Sequence, residues 1–232
     1  MNKFIRTAAA ILLSALALCS CAETAPQSSE TAYEPTQSSW EAADNCNGMR
    51  FTFSLRKLSD RVNGIMKDNS RADEGGQTEL LLGEWEVLSG GLVDDKGVKY
   101  TSYYQKVGIF SLTAAAEDES GKVINLACGC NSKLLEDEDI KSTYLLLAAV
   151  LTQSAAGSGD DELSTIKDVF EQLLGGGDDE LYHDGILFTR LKDDDSINLI
   201  ISPITAQNAA DHQIKSYEKL IAETTDAEQP VK

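Results

Sequence analysis

VKYTSYY (98–104), VGIFSLTAAA (107–116) and VINLACGC (123–130) are the stretches whose reading decides the fold. All three are rich in β-branched and aromatic residues, which suit a pleated, half-buried surface. The polar connection Glu117 to Lys122, with Gly121, suits a hairpin and leaves no room for a crossover helix. The spacing therefore predicts an antiparallel meander. Tyr100 and Tyr104 then point to one face of their strand and Tyr103 to the other.

Working outward, a further strand is predicted at Leu80 to Leu88, where Trp85 and Val87 alternate with Glu84 and Glu86. Ser89-Gly90-Gly91 is expected to close it. Before it, Ser54 can cap a helix in which Leu55, Leu58, Val62, Ile65 and Met66 recur at spacings of three and four. A polar loop, Asp68 to Gln77, separates the two. On the other side, Asp137 or Asp139 can cap a helix from Ile140 to about Ala155. Its segment Tyr144 to Leu151 is apolar all round, as a buried helix is. Another helix starts at Asp161, carries Leu163, Ile166, Val169, Phe170 and Leu173 on one stripe, and ends at Gly175-Gly176-Gly177. Strands return at Leu181 to His183, Ile186 to Leu191 and Ile197 to Ser202, with Asp184-Gly185 as a compact turn. The sum is one α+β domain over 46–204. An antiparallel sheet packs against about three helices, with its second face at least partly open. Residues 205–232 read as a weakly structured tail in which Ile214, Tyr217, Leu220 and Ile221 can form a short helix.

The N-terminal end carries a different signal. Lys3 and Arg6 precede an uncharged apolar run, Thr7 to Leu18, which is too short to span a bilayer comfortably. Leu18-Cys19-Ser20-Cys21 follows, with a small residue just before the second cysteine. This resembles the lipobox of bacterial lipoproteins. The resemblance covers about the first tenth of the chain and implies a signal peptide at 1–20, removed by cleavage, and a lipid (palmitate among its acyl groups) on Cys21. It also implies a protein held in the cell membrane and facing away from the cytoplasm. Cleavage ahead of Cys19 would set bulky Leu18 at the cut, so Cys21 is the better acceptor. Residues 21–45 are rich in Ser, Thr, Pro and Glu and read as a disordered tether. Such a coil spans about 25 to 30 Å. Trp40 is the exception, a large apolar residue able to dock on the domain. The layout of the folded part, with a capped helix from Ser54 and strands around Ile109 and Ile124, is similar in pattern to small surface lipoproteins of Gram-positive bacteria. No family active site transfers with that likeness.

The chain has 20 basic and 38 acidic residues, a net charge of −18, and loss of Lys3 and Arg6 with the leader makes it more negative still. That balance argues against nucleic acid, whose phosphates need basic surface. It also leaves the lipid, rather than electrostatics, to hold the protein at an anionic membrane. Outside the cytoplasm disulfides persist. Cys128 and Cys130 are alternate strand residues with Cα atoms about 6.6 to 7 Å apart, at the limit for a bridge. Any disulfide is therefore expected to join Cys46 to Cys128 or Cys130.

Catalytic and metal-binding patterns are sparse. The chain has two histidines, His183 and His212, and adjacent strand residues such as His183 and Asp184 point to opposite faces. There is no nucleophile elbow and no phosphate loop. Cys128-Gly129-Cys130 lacks the second ligand pair of a zinc site. The acidic clusters at 136–139, 160–162, 178–180 and 193–195 miss the ligand pattern of a calcium loop and fall at helix starts or turns. The expectation is a non-enzymatic binder with no cofactor and no metal, taking an extracytoplasmic protein or glycan on a sheet face that carries Tyr100 and Tyr104. The alternative is a cell-wall or peptide hydrolase built on paired carboxylates.

Overall fold

In the computed structural model, residues 40–44, 48–70, 81–156 and 163–227 are described. The meander forms as the alternation predicts. Its strands are β3 (Glu86–Val93), β4 (Lys99–Val107), β5 (Phe110–Glu117) and β6 (Val123–Asn131). With β7 (Glu180–His183), β8 (Ile186–Lys192), β9 (Ser196–Pro203) and β10 (Lys215–Ser216) they make an eight-stranded sheet in the order β10-β7-β8-β9-β6-β5-β4-β3. Every pairing is antiparallel except β10 with β7. A separate hairpin joins β1 (Trp40–Ala42) to β2 (Met49–Phe51).

Three helices cover one face: α1 (Leu55–Ser70), α2 (Glu138–Ala156) and α3 (Leu163–Gly175). Asp137 caps α2, accepting from the amides of Asp139 at 3.0 Å and Ile140 at 3.3 Å, so two main-chain donors at the helix start find an acceptor. Because α2 lies on β6 and is flanked by α1 and α3, its all-round apolar surface is buried from Tyr144 to Leu151. The Tyr144 hydroxyl donates to the Cys128 carbonyl at 2.5 Å and thereby ties the helix to the centre of the sheet. Inward-facing Leu112, Leu126, Cys128, Leu199, Ile201 and Phe188 fill the space beneath, on alternate positions of four strands.

Several boundaries differ from those expected. The strand predicted at Leu80 to Leu88 begins at Glu86 and runs on through Ser89-Gly90-Gly91 to Val93. The glycines do not close it. Register breaks between Val87 and Ser89 and between Ser89 and Leu92 mark bulges, and Gly91 takes φ +66°, a conformation that suits glycine in a bulge as well as in a turn. The tether expected over 21–45 gives way by Trp40, whose β1 pairs with β2 and packs on the core. The segment expected to be a weak tail at 205–232 holds α4 (Ala206–Asp211), β10 and α5 (Tyr217–Ala227). The apolar run 7–18 and the lipobox lie outside the described residues, and no described helix is long and apolar enough to cross a membrane.

Candidate functional site

The sheet face opposite α1, α2 and α3 is the surface on which the sequence places the site. Strand register lays it out as rows. One runs Tyr104, Thr113, Ala127, Ile200, Thr189 across β4, β5, β6, β9 and β8, and each of these residues remains half-exposed. The next row runs Ser111, Gly129, Asn198 and Leu191. At Gly129 a Cβ would press on the Ser111 hydroxyl at 2.8 Å and on the Asn198 side chain. A bare backbone is therefore what lets these two polar groups close over the strand. The Ser111 hydroxyl donates to the Gly129 carbonyl at 3.2 Å.

Among the described residues, cover on this face is confined to one corner. There Ile204 and Ala209, at the entry to and within α4, pack on Leu187 with Tyr182 and Ile214. Tyr100 and Tyr104 lie far from it, on β4, opposite Glu117 and Thr113 of β5 and beside Leu92 and Glu86 of β3. Both rings are half-exposed, whereas Tyr103 turns to the helix side and joins the core. What results is an open face on which small and hydroxylated side chains mix with Ile200 and the exposed Leu191, with two phenol rings near one margin. Phenols combine apolar area with a hydrogen-bonding tip and lose little conformational entropy on contact, which suits them to recognition.

The cysteines are elsewhere. Cys128 and Cys130 both face the helix layer as buried, free thiols, and Cys46 lies outside the described residues. Burial pushes the Cys130 thiol up to about 11 and Cys128 well above its ordinary value. Thiols held protonated in this way are poor nucleophiles and poor metal ligands.

His183 sits at the end of β7, as its turn-flanking position implies. Its Nδ1 meets Glu218 of α5 at 2.5 Å, and its ring stands edge-on to Tyr217 at 5.8 Å. The Ser216 hydroxyl also donates to Glu218. Serine and histidine thus share one carboxylate instead of forming a serine-to-histidine relay, and the cluster fastens α5 to the sheet edge. Three of the four acidic clusters are described, and they occupy caps, turns and ion pairs. Asp137 caps α2, Asp178 pairs with Lys215 at 2.8 Å, and Asp193 accepts from the Ser196 amide at 2.6 Å. Among the described residues no three His, Cys, Asp or Glu side chains converge as metal ligands do.

One charged network remains, at the base of the sheet where β1 and β2 cross the β5–β6 turn. Arg50 pairs with Glu41 at 2.8 Å and with Glu117, Lys122 reaches Glu41 at 2.7 Å, and Ser120 donates to Glu117. The hydrogen bonds from Lys122 and then Arg50 hold the Glu41 carboxyl below its usual range. A carboxyl depressed in the folded state stabilises fully above its unfolded pKa, and that contribution disappears as the pH falls through the lower, folded value. Acidification should therefore loosen β1 and β2, read as a change in Trp40 emission below about pH 4 in a Trp85→Phe background. Glu41→Gln should flatten that acid limb, and an unchanged limb would show that the pair does not hold the hairpin.

No family model matches this chain, and neither the curated proteins nor the solved structures provide a match. The functional reading rests on the chain's own residues.

Proposed function

We propose that this is a lipid-anchored, extracytoplasmic binding protein without enzymatic activity, held in the membrane through Cys21. Its recognition surface is the open sheet face, with Tyr100 and Tyr104 as anchors for a protein or glycan. The observation that carries the reading is the half-exposed pair of rings beside mixed polar and apolar rows, from Thr113 and Ser111 to Ile200 and Leu191, that α1, α2 and α3 leave uncovered. Against the hydrolase alternative stands the engagement of Glu41 and Glu117, both of which pair with the Arg50 guanidinium. With Arg50 and Lys122 beside it, the Glu41 carboxyl is held below its usual range, opposite to the raised value that the proton-donating acid of glycoside cleavage needs. The clefts beside these groups, and between α2 and α3, are lined by charged side chains such as Lys99 and Asp118 or Lys141 and Glu171, not by apolar walls.

The test pairs capture of extracytoplasmic partners with thermal melting. Tyr100→Ala and Tyr104→Ala should each reduce capture while costing less than about 2 kcal/mol, since half-exposed rings lose less on truncation than core aromatics at roughly 3 to 5 kcal/mol. Loss of stability at the core value in both variants would overturn the assignment of the face. Turnover of wall fragments or peptides by the purified protein would overturn the non-enzymatic reading. For the anchor, Cys21→Ala should abolish lipid labelling and release the protein from the membrane fraction. Retained labelling that Cys19→Ala abolishes would move the acceptor.

A further inference from the structure

The two edges of the sheet are finished differently. At one, β10 adds to β7 and α5 packs on both. At the other, β3 is the last strand among the described residues, with seven of its eight residues exposed. Val87, Leu88 and Val93 stand 65%, 61% and 57% exposed, a concentration of large apolar side chains on one short strand. An edge of this kind presents unpaired main-chain donors and acceptors, and soluble proteins usually blunt it with lysine, proline, bulges or a cover, of which β3 carries the bulges. From Val87 to Val93 this strand has no charge and no proline.

Its sequence names the occupant. VLSGGLV (87–93) reads nearly the same in both directions about Gly90. A second copy laid antiparallel across a two-fold axis at Gly90 sets Val87 opposite Val93, Leu88 opposite Leu92 and glycine opposite glycine. We propose that β3 is a self-pairing edge through which two copies of this chain join their sheets.

Charge selects the antiparallel sense. Parallel pairing would stack Glu84 and Glu86 on their own copies. Antiparallel pairing about Gly90 sets Glu84 opposite Lys96 of the second copy and Glu86 opposite Asp94, whose carboxylate accepts from the amides of Lys96 at 2.9 Å and Val98 at 2.8 Å. The bulges interrupt the ladder in the middle, so contact falls on two short apolar pairs, and the association is weak and reversible. Because the opposite edge is occupied by β10, the two-fold contact closes at a dimer and does not propagate into a fibre.

The test is sedimentation over a concentration series of a soluble form with residues 22–232, which contains every described element. A monomer–dimer equilibrium should appear and strengthen with added salt, which screens the repulsion between two acidic copies. Leu88→Lys should weaken dimerisation by about tenfold or more while leaving the melting transition in place, since Leu88 is exposed. Gly90→Cys should crosslink to its own copy under mild oxidation above the level of the parent chain treated alike, because opposed antiparallel residues lie within disulfide reach. A monomer at every concentration, a dimer indifferent to Leu88→Lys, or a monomer whose edge takes an extended apolar peptide would each overturn the proposal.

Discussion

Tyr144→Ala should lower stability by roughly 3 to 5 kcal/mol, the cost of truncating a core aromatic that leaves a cavity, and should shift the melting midpoint by about 10 °C. Tyr144 is fully buried in the second turn of α2, and its ring lies 5.7 Å from that of Phe110. Its hydroxyl, whose pKa burial pushes upward, donates to the Cys128 carbonyl. Truncation therefore removes ring packing between helix and sheet together with a hydrogen bond in a dry interior. Tyr144→Phe separates the two. It keeps the ring, removes only the donor, and should cost about 1 kcal/mol. Denaturant unfolding of both variants checks the ratio. Equal losses would mean that the hydroxyl, not the ring, holds α2 on the sheet. The open face should be unaffected in the folded fraction of either variant, because Tyr144 meets the sheet from the helix side.

The packing that Tyr144 completes was only half legible in the sequence. The all-round apolar character of Tyr144 to Leu151 announced a buried helix, and the period-two pattern of β5 and β6 announced two faces. Leu112, Ala114, Leu126 and Cys128 alternate there with Ser111, Thr113, Asn125 and Ala127. That alternation sets Tyr100 and Tyr104 on one face and Tyr103 on the other, while which of the two faces lies open is decided by where the helices pack. Contacts set by register between distant elements were not legible. Arg50 meets Glu117 across 67 positions, and nothing local in either segment marks the pair. The bulged course of β3 was hidden because Ser89-Gly90-Gly91 has the composition of a turn, and a glycine at positive φ serves either purpose. β10 escaped notice as a two-residue parallel addition, too short to show a period.

The same limit applies to Trp40, and it leads to the second large expected effect. Gly185→Ala should cost about 2 to 3 kcal/mol, more than a turn substitution by itself. Asp184 and Gly185 take φ +42° and +77°, the mirror-image turn that matches the twist of β7 and β8. A side chain at Gly185 carries a backbone penalty of about 1 kcal/mol. It also has no room, since the added Cβ would lie 2.9 Å from Trp40 Cε2 and closer still to the neighbouring ring atom. Either the turn distorts or the indole lifts away, taking β1 from its place against the core. The Gly185 carbonyl accepts from the Ile204 amide at 2.9 Å, so distortion would reach β9 as well. A double-mutant cycle with Trp40→Ala decides between these costs. With the indole gone, Gly185→Ala should retain only the backbone penalty of about 1 kcal/mol, and the difference is the clasp. An undiminished cost in the Trp40→Ala background would place the whole effect in the turn and leave Trp40 without a role in holding β1.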